Sequence, residues 1–254
     1  METTVYFVNH LEEKLVGTLH QPEFFSRYGI LLGHCFSCTR HTGILREISA
    51  RLTTAGFQVL RFDFSGNGQS EGEFVETSYS KSIAEMGIAA TFLRSFGVEW
   101  LGVAGHSMGA AISVLAAREL KGIQAVCAIA GRLASNSPPR FFSEAQYQQL
   151  QETGRLEFVS RGRQLELDQR FLMDMQTYNL PDAVASLDVP LLIVHGDQDA
   201  MVPVEQAVKA HDSRPDSDLL IIPEADHFFS QTEHREMAAN HITEWFVGKR
   251  GKGL

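Results

Sequence analysis

The sequence predicts an α/β fold built on a mostly parallel, doubly wound sheet, with an antiparallel hairpin at its N-terminal edge and a long insertion. Three observations carry this. Short runs rich in Val, Ile and Leu alternate with stretches of helical period. Those runs are nearly continuous in hydrophobicity, as strands buried on both faces of a parallel sheet must be. The alternation then stops over residues 131–189.

Taken in order, segments 5–8 and 15–19 flank the polar turn NHLEEK and form a hairpin pattern. Strands follow at 28–35 (YGILLGHC), 57–64 (FQVLRFDF), 100–105 (WLGVAG), 123–130 (IQAVCAIA), 190–195 (PLLIVH) and 218–222 (DLLII). Between them, 44–54, 79–96, 108–120, 204–211 and 233–247 read as helices, so the connections are expected to be right-handed crossovers. Segment 131–189 holds Pro138 and Pro139, the aromatic pair Phe141 and Phe142, and a hairpin pattern in RLEFVSRGRQLEL. It is too long for a plain loop and is expected to be an inserted cap with its own structure. The expected division is a core of 1–130 and 190–248, a cap of 131–189, and a polar, frayed tail at 249–254.

With 44% hydrophobic residues, the 254-residue chain can build a sizeable core, which excludes disorder and fibrous architecture. Acidic residues number 31 against 22 basic ones, a net charge of −9, and no long basic run occurs, so nucleic acid and membrane surface are excluded as partners. A small molecule is the expected partner; the size suits a monomer, and a homodimer stays open. Three cysteines cannot all pair, and Cys127 lies in the apolar run AVCAIA, so thiols in a reducing compartment are expected rather than a disulfide framework. The start METTVYFVNHLEE carries no secretory pattern, and no apolar run approaches the ~20 residues of a bilayer span. The expectation is a cytoplasmic protein.

The strongest chemical signal is Gly105-His106-Ser107-Met108-Gly109, between the strand WLGVA and the helical run AAISVLAAREL. In that context G-x-S-x-G reads as a nucleophile elbow, a strained turn that lifts a serine out of the sheet. Its glycines let strand and helix pack closely, and the helix N-terminus faces the place where negative charge develops on an attacked carbonyl. His106 is expected to brace the elbow rather than react.

These residues, with KLVGTLHQP, LLGHCFSC, LRFDFSGNGQSEG, PLLIVHGDQDAMVP and PEADHFF, give the chain its resemblance to the α/β-hydrolases. More narrowly it resembles the serine aminopeptidase-like hydrolases, which include cinnamoyl and feruloyl esterases, monoglyceride lipase-like enzymes and hydrolase modules fused to peroxide-resistance domains. The family's order of nucleophile, acid and base implies Ser107, Asp199 and His227. Among the histidines after the acid, His211, His234 and His241 fall in helical stretches, whereas His227 follows the strand DLLII through the turn PEAD. For the acid, HGDQDAMVP offers Asp197 and Asp199; the family pattern falls on Asp199, and Asp197 is expected to cap the turn through its own backbone amides.

Acyl transfer also needs two N–H donors for the oxyanion. Met108, directly after the nucleophile, is the first; the resemblance implies Phe36 as the second, from Gly33-His34-Cys35-Phe36. Cys35 stands where many relatives have glycine. Cys35 and Cys38 form C-x-x-C, with His34 and His41 nearby, and a structural placement is preferred over a zinc site or a redox-sensitive thiol. The glycine-rich run from Asp63 to Ser70 lacks the helix that a phosphate cradle requires and is read as a turn near the site.

In the cap, Phe141, Phe142, Tyr147, Phe158, Phe171 and Tyr178 are expected mainly to form its own core, with some lining a pocket. Arg155, Arg161, Arg163 and Arg170 are expected along a solvated hairpin edge, with contact to a substrate carboxylate as the alternative. The expected function is cleavage of small-to-medium carboxylic esters, acyl or aryl, through an acyl-enzyme and without cofactor or metal. The alternatives are a non-catalytic ligand-binding protein on the same fold or, among enzymes, an amidase or aminopeptidase, a thioesterase or a monoacylglycerol lipase.

Overall fold

The computed structural model describes residues 1–135 and 142–251. Eight strands form the main sheet: β1 (Glu2–Val8), β2 (Lys14–His20), β3 (Tyr28–Gly33), β4 (Gln58–Phe62), β5 (Trp100–His106), β6 (Ala125–Ile129), β9 (Leu191–Gly196) and β10 (Asp218–Ile222). Their order across the sheet is β1-β2-β4-β3-β5-β6-β9-β10. β1 and β2 pair antiparallel, β2 meets β4 antiparallel, and every further pair is parallel. The expected hairpin at the N-terminal edge of a parallel sheet is therefore present.

Burial explains the sequence pattern. Every residue of β4, β5, β6 and β9 is buried, so these strands are apolar without a break, whereas edge strand β1 buries only Phe7. On one face, α1 (Gly43–Thr54) and α8 (Thr232–Arg250) cover the sheet with Ile44, Ile48, Leu52, Ile242 and Phe246. On the other lie α2 (Tyr79–Arg94), α3 (Met108–Glu119) and α7 (Glu205–Ser213), contributing Met86, Leu93, Ile112, Leu115 and Ala207. Each large side chain taken fully from water contributes roughly 1.5–3 kcal/mol, so burial on both faces holds the two helix layers to the sheet. α8 runs further than expected, since Lys249 and Arg250 are helical. Lys249 reaches Asp218 and Arg250 donates to the carbonyl of Ala55, contacts a frayed tail would lack. Residues 252–254 lie outside the described residues.

The segment between β6 and β9 has structure of its own: α4 (Glu144–Thr153), the antiparallel pair β7 (Arg155–Ser160) and β8 (Arg163–Asp168), α5 (Arg170–Gln176) and α6 (Leu180–Ala185). The hairpin was legible; the three short helices were not, because none carries a long apolar period. Pro138, Pro139 and Phe141 lie outside the described residues. The described aromatic residues of this segment do not form a separate core. Phe36, from the loop after β3, is surrounded by Phe74, Phe142, Phe158 and Phe171 at centroid distances of 5.2 to 6.3 Å, and Tyr178 packs on Tyr79. The expected private core is thus a shared one, because a small insertion buries more apolar surface by docking on its host than by closing on itself.

Candidate active site

The parallel strands all point their carboxyl ends to one edge of the sheet, and the loops there gather the residues of interest. β5 ends at His106, and the next residue, Ser107, turns the chain into α3 with φ 57° and ψ −114°, a backbone conformation rarely adopted by a residue with a Cβ. The flanking glycines are required by close approach. A Cβ on Gly105 would lie 2.0 Å from the carbonyl oxygen of Gly109, and one on Gly109 would lie 2.4 Å from that of Gly33. Strand, elbow and helix are therefore in backbone contact, and Met108 opens α3 with its N–H among those that have no partner within the helix.

After β9 the chain reaches Asp199, and after β10 it reaches His227. Nδ1 of His227 and Oδ2 of Asp199 are 2.7 Å apart. Oδ1 of Asp199 accepts the amides of Met201 at 2.9 Å and Val202 at 2.8 Å. Burial alone would raise the pKa of this carboxyl; hydrogen bonds from His195 and His227, the charge of His227 and the Val202 amide outweigh it and hold Asp199 well below its ordinary value. Asp197 is turned elsewhere: its Oδ1 accepts the amide of Glu224, so it ties the β9 loop to the β10 loop rather than capping its own turn.

Two more histidines support this pair. Nε2 of His195 is 2.8 Å from the carbonyl oxygen of Val202 and 3.2 Å from Oδ2 of Asp199, a contact the sequence did not reveal. The adjacent His-Gly after an apolar strand was the only signal. His106 donates from Nε2 to the backbone carbonyl of His227 at 2.7 Å, so its side chain ties the end of β5 to the histidine loop. Complete burial, with the neighbouring charge of His227, pushes its pKa down to about 3, so the ring is neutral at pH 7.

On the opposite wall is the loop after β3. His34 is buried; its Nδ1 donates to the carbonyl of Cys35 at 2.8 Å and its Nε2 accepts the amide of Phe64 at 3.0 Å, which fixes one neutral tautomer. Cys35 and Cys38 are joined in a disulfide that brackets Phe36 and Ser37. This corrects the expectation of unpaired thiols: the C-x-x-C spacing closes a covalent bridge, while Cys127 is the free, buried cysteine. The loop is anchored from outside by a buried ion pair between Arg40 and Asp63, whose carboxylate also takes the amides of Arg40 and Gln69. The glycine-rich run after Asp63 is thus a turn wrapped on a carboxylate, as expected.

Ser107, His227, Cys35 and Phe36 line one pocket of about 220 Å³, closed by the aromatic rings of Phe142, Phe158 and Phe228. The structure therefore brings together a strained serine, an imidazole with an oriented carboxylate partner, and two loops able to present N–H groups. That set is chemically competent for acyl transfer.

The alpha/beta hydrolase family model matches residues 30–240, and the chain belongs to that family. It is similar to a monoacylglycerol lipase of Mycolicibacterium smegmatis, with 24% identity over 92% of this chain and 93% of that protein. Among solved structures it is similar to Est1E of Butyrivibrio proteoclasticus with ferulic acid bound, at a TM-score of 0.80 and 24% identity, covering 98% of this chain and 100% of that one. The esterase domain of a Rhodothermus marinus protein superposes at a TM-score of 0.74 and 26% identity over 96% and 97% of the two chains. No helix among the described residues is long and apolar enough to cross a membrane.

Proposed function

We propose that the protein is a serine esterase acting on small-to-medium carboxylic esters. The observation that carries this reading is the 2.7 Å contact of His227 with Asp199 in the same pocket as Ser107 at its strained elbow. Ser107 Oγ attacks the ester carbonyl carbon while Nε2 of His227 takes its proton. The carbonyl oxygen becomes an oxyanion held by the N–H groups of Met108 and Phe36, and Asp199 stabilises the imidazolium. The ester C–O bond breaks, His227 returns the proton to the leaving alkoxide, and an acyl-enzyme remains. Water then attacks the acyl carbon, giving its proton to His227, which passes it back to Ser107 as the acid leaves.

Segment 131–189 is the cap in this reading, since Phe142, Phe158 and Val159 close the pocket over the serine. A volume of about 220 Å³, below the roughly 300 Å³ at which ligand pockets usually begin, suits an acyl or aryl group of modest size rather than a whole large ester. The esterase and lipase names among its relatives support the same chemistry. The test is a fluorophosphonate probe together with a panel of nitrophenyl esters, ferulate esters, monoglycerides and aminoacyl amides, run on wild type and Ser107→Ala. Labelling and ester turnover that vanish in the variant are expected. Absence of labelling in the wild type, or full activity in Ser107→Ala, ends the proposal.

A further inference from the structure

The pocket of Ser107 continues outward into a groove of about 830 Å³, the two sharing Ser37, Ser160, Arg161, Met201 and Phe228 as a common wall. Among the described residues three guanidinium groups border this groove, from Arg161, Arg163 and Arg235, and no carboxylate does. In a chain with 31 acidic residues against 22 basic ones, an acid-free basic groove is the reverse of what composition predicts.

What holds these arginines matters more than their number. Elsewhere on the same hairpin region, Arg155 pairs with Glu166 and Arg170 with Asp168. At the groove the acceptors are neutral. Arg163 donates to the carbonyl of Ser37 at 3.0 Å and to Oδ1 of Asn67 at 3.3 Å, and Arg235 donates to the carbonyls of Phe229 and Ser230. Arg161, at the tip of the β7–β8 hairpin, lies 4.8 Å over the ring of Phe228. Among the described residues none of the three has a carboxylate within 4.0 Å. Neutral acceptors and an aromatic face orient a guanidinium without cancelling its charge, which leaves its outward N–H groups set for a planar or tetrahedral oxyanion.

The groove's place relative to the chemistry decides which part of the ester meets it. His227 must hand its proton to the leaving oxygen, so the alcohol lies on the His227 side. The groove begins at Phe228 and Met201, neighbours of the base and of its carboxylate partner, whereas the inner pocket is walled by aromatic rings. We infer that the groove binds an anionic group, carboxylate or phosphate, on the alcohol portion of the ester, so that the preferred substrates are acyl esters of anionic alcohols, with Arg161 the specificity-determining residue. This rests on the esterase reading above.

The experiment uses three butyryl esters, of 4-hydroxybenzamide, 4-hydroxybenzoate and 4-hydroxyphenyl phosphate, and compares kcat/KM for each anionic ester with that for the neutral amide. Wild type is expected to prefer the anionic esters, and the ratio to fall about fivefold in Arg161→Gln and below one in Arg161→Glu, chiefly through KM. A preference shown by only one of the two anionic esters identifies carboxylate or phosphate as the group recognised. In 0.5 M NaCl the wild-type ratio should shrink. A second measurement, independent of turnover, is calorimetric binding of benzoate, phenyl phosphate and benzamide to the Ser107→Ala protein with and without Arg161→Gln; the two anions are expected to bind more tightly and to lose that advantage in the double variant. Ester turnover with no anionic preference in either measurement overturns the groove and leaves the esterase reading standing. Anion binding dependent on Arg161 in a protein that turns over no ester does the opposite.

Discussion

Nδ1 of His227 lies 2.7 Å from Oδ2 of Asp199, while the other oxygen of that carboxylate is held by the amides of Met201 and Val202. Both oxygens are therefore committed, and the carboxylate cannot rotate away from the imidazole. Only an acceptor at Oδ2 keeps the Nδ1–H tautomer that leaves Nε2 free to take the proton of Ser107 in the proposed mechanism. Asp199→Asn is expected to lower kcat on a nitrophenyl ester by about 10³- to 10⁴-fold with little change in KM. A variant within tenfold of wild type would show that another carboxylate orients His227, and Asp197 would be the next residue to replace.

Two glycines of the elbow are constrained by backbone, and this separates them from glycines that merely occur in the fold. A Cβ at Gly105 or Gly109 meets carbonyl oxygens at 2.0 and 2.4 Å, which no rotamer change relieves. Gly105→Ala and Gly109→Ala are each expected to cost at least about 3 kcal/mol in urea denaturation and to abolish fluorophosphonate labelling. Gly248, inside α8 with open space where its Cβ would be, is the control. Gly248→Ala should stabilise by roughly 0.5–1 kcal/mol, because alanine restricts the unfolded chain and the helix accepts it.

How much of this was legible in the sequence depends on whether a residue's role is set by its own strand or by a distant one. The elbow could be read because Gly105, Ser107 and Gly109 act within one strand–turn–helix unit. Asp199 and His227 could be read because each follows the end of a recognisable buried strand. His195 could not, since its contact with Asp199 arises only when the loop after β9 folds back on its own strand. The arginines on and beside the β7–β8 hairpin looked alike; Arg155 and Arg170 pair with acids of β8 itself, whereas docking of the hairpin on the core places Arg161 and Arg163 at the groove. The aromatic residues of the insertion failed for the same reason, as their partner Phe36 lies more than a hundred residues earlier.

Buried histidines make the fold sensitive to mild acid. Burial, with the charge of Arg61, lowers His20 to about 4, and burial with the charge of His227 lowers His106 to about 3, from an ordinary value of 6.5. In the unfolded chain both bind a proton near pH 6.5; in the folded chain neither does until the pH is far lower. Between those values the unfolded state holds more protons, so the stability these groups permit is full above about pH 6.5 and declines as the pH falls toward 4. Unfolding free energy measured from pH 7 to pH 4.5 should rise with pH with a slope that His20→Gln and His106→Gln each reduce by about one proton. An unchanged slope in His106→Gln would mean that His106 is already charged in the fold. In that variant the amide can still donate to the carbonyl of His227, so activity should fall far less than in His106→Ala.

The disulfide between Cys35 and Cys38 spans the residue proposed to supply the second oxyanion donor. Phe36 is followed by Ser37 at φ 55°, and the amide of Cys38 returns to the carbonyl of Cys35 at 3.0 Å, so the bridge closes a tight turn around that donor. Other anchors hold the same loop: the Arg40–Asp63 pair on one side, and the Ser37–Ser160 hydrogen bond and Arg163 on the other. Opening the bridge should therefore loosen the donor without displacing the loop. Reduction with dithiothreitol, or the Cys35→Ser/Cys38→Ser double variant, is expected to lower kcat by about three- to tenfold, less than the 10²–10³ seen when an oxyanion donor is removed outright. KM should change less than kcat, since the bridged loop meets the proposed groove only at Ser37, which Ser160 and Arg163 hold independently, and the Asp199–His227 contact lies apart from the bridge. If kcat is unchanged after complete reduction, confirmed by thiol titration, the turn is held by its hydrogen bonds alone. The disulfide then has no part in shaping the oxyanion site.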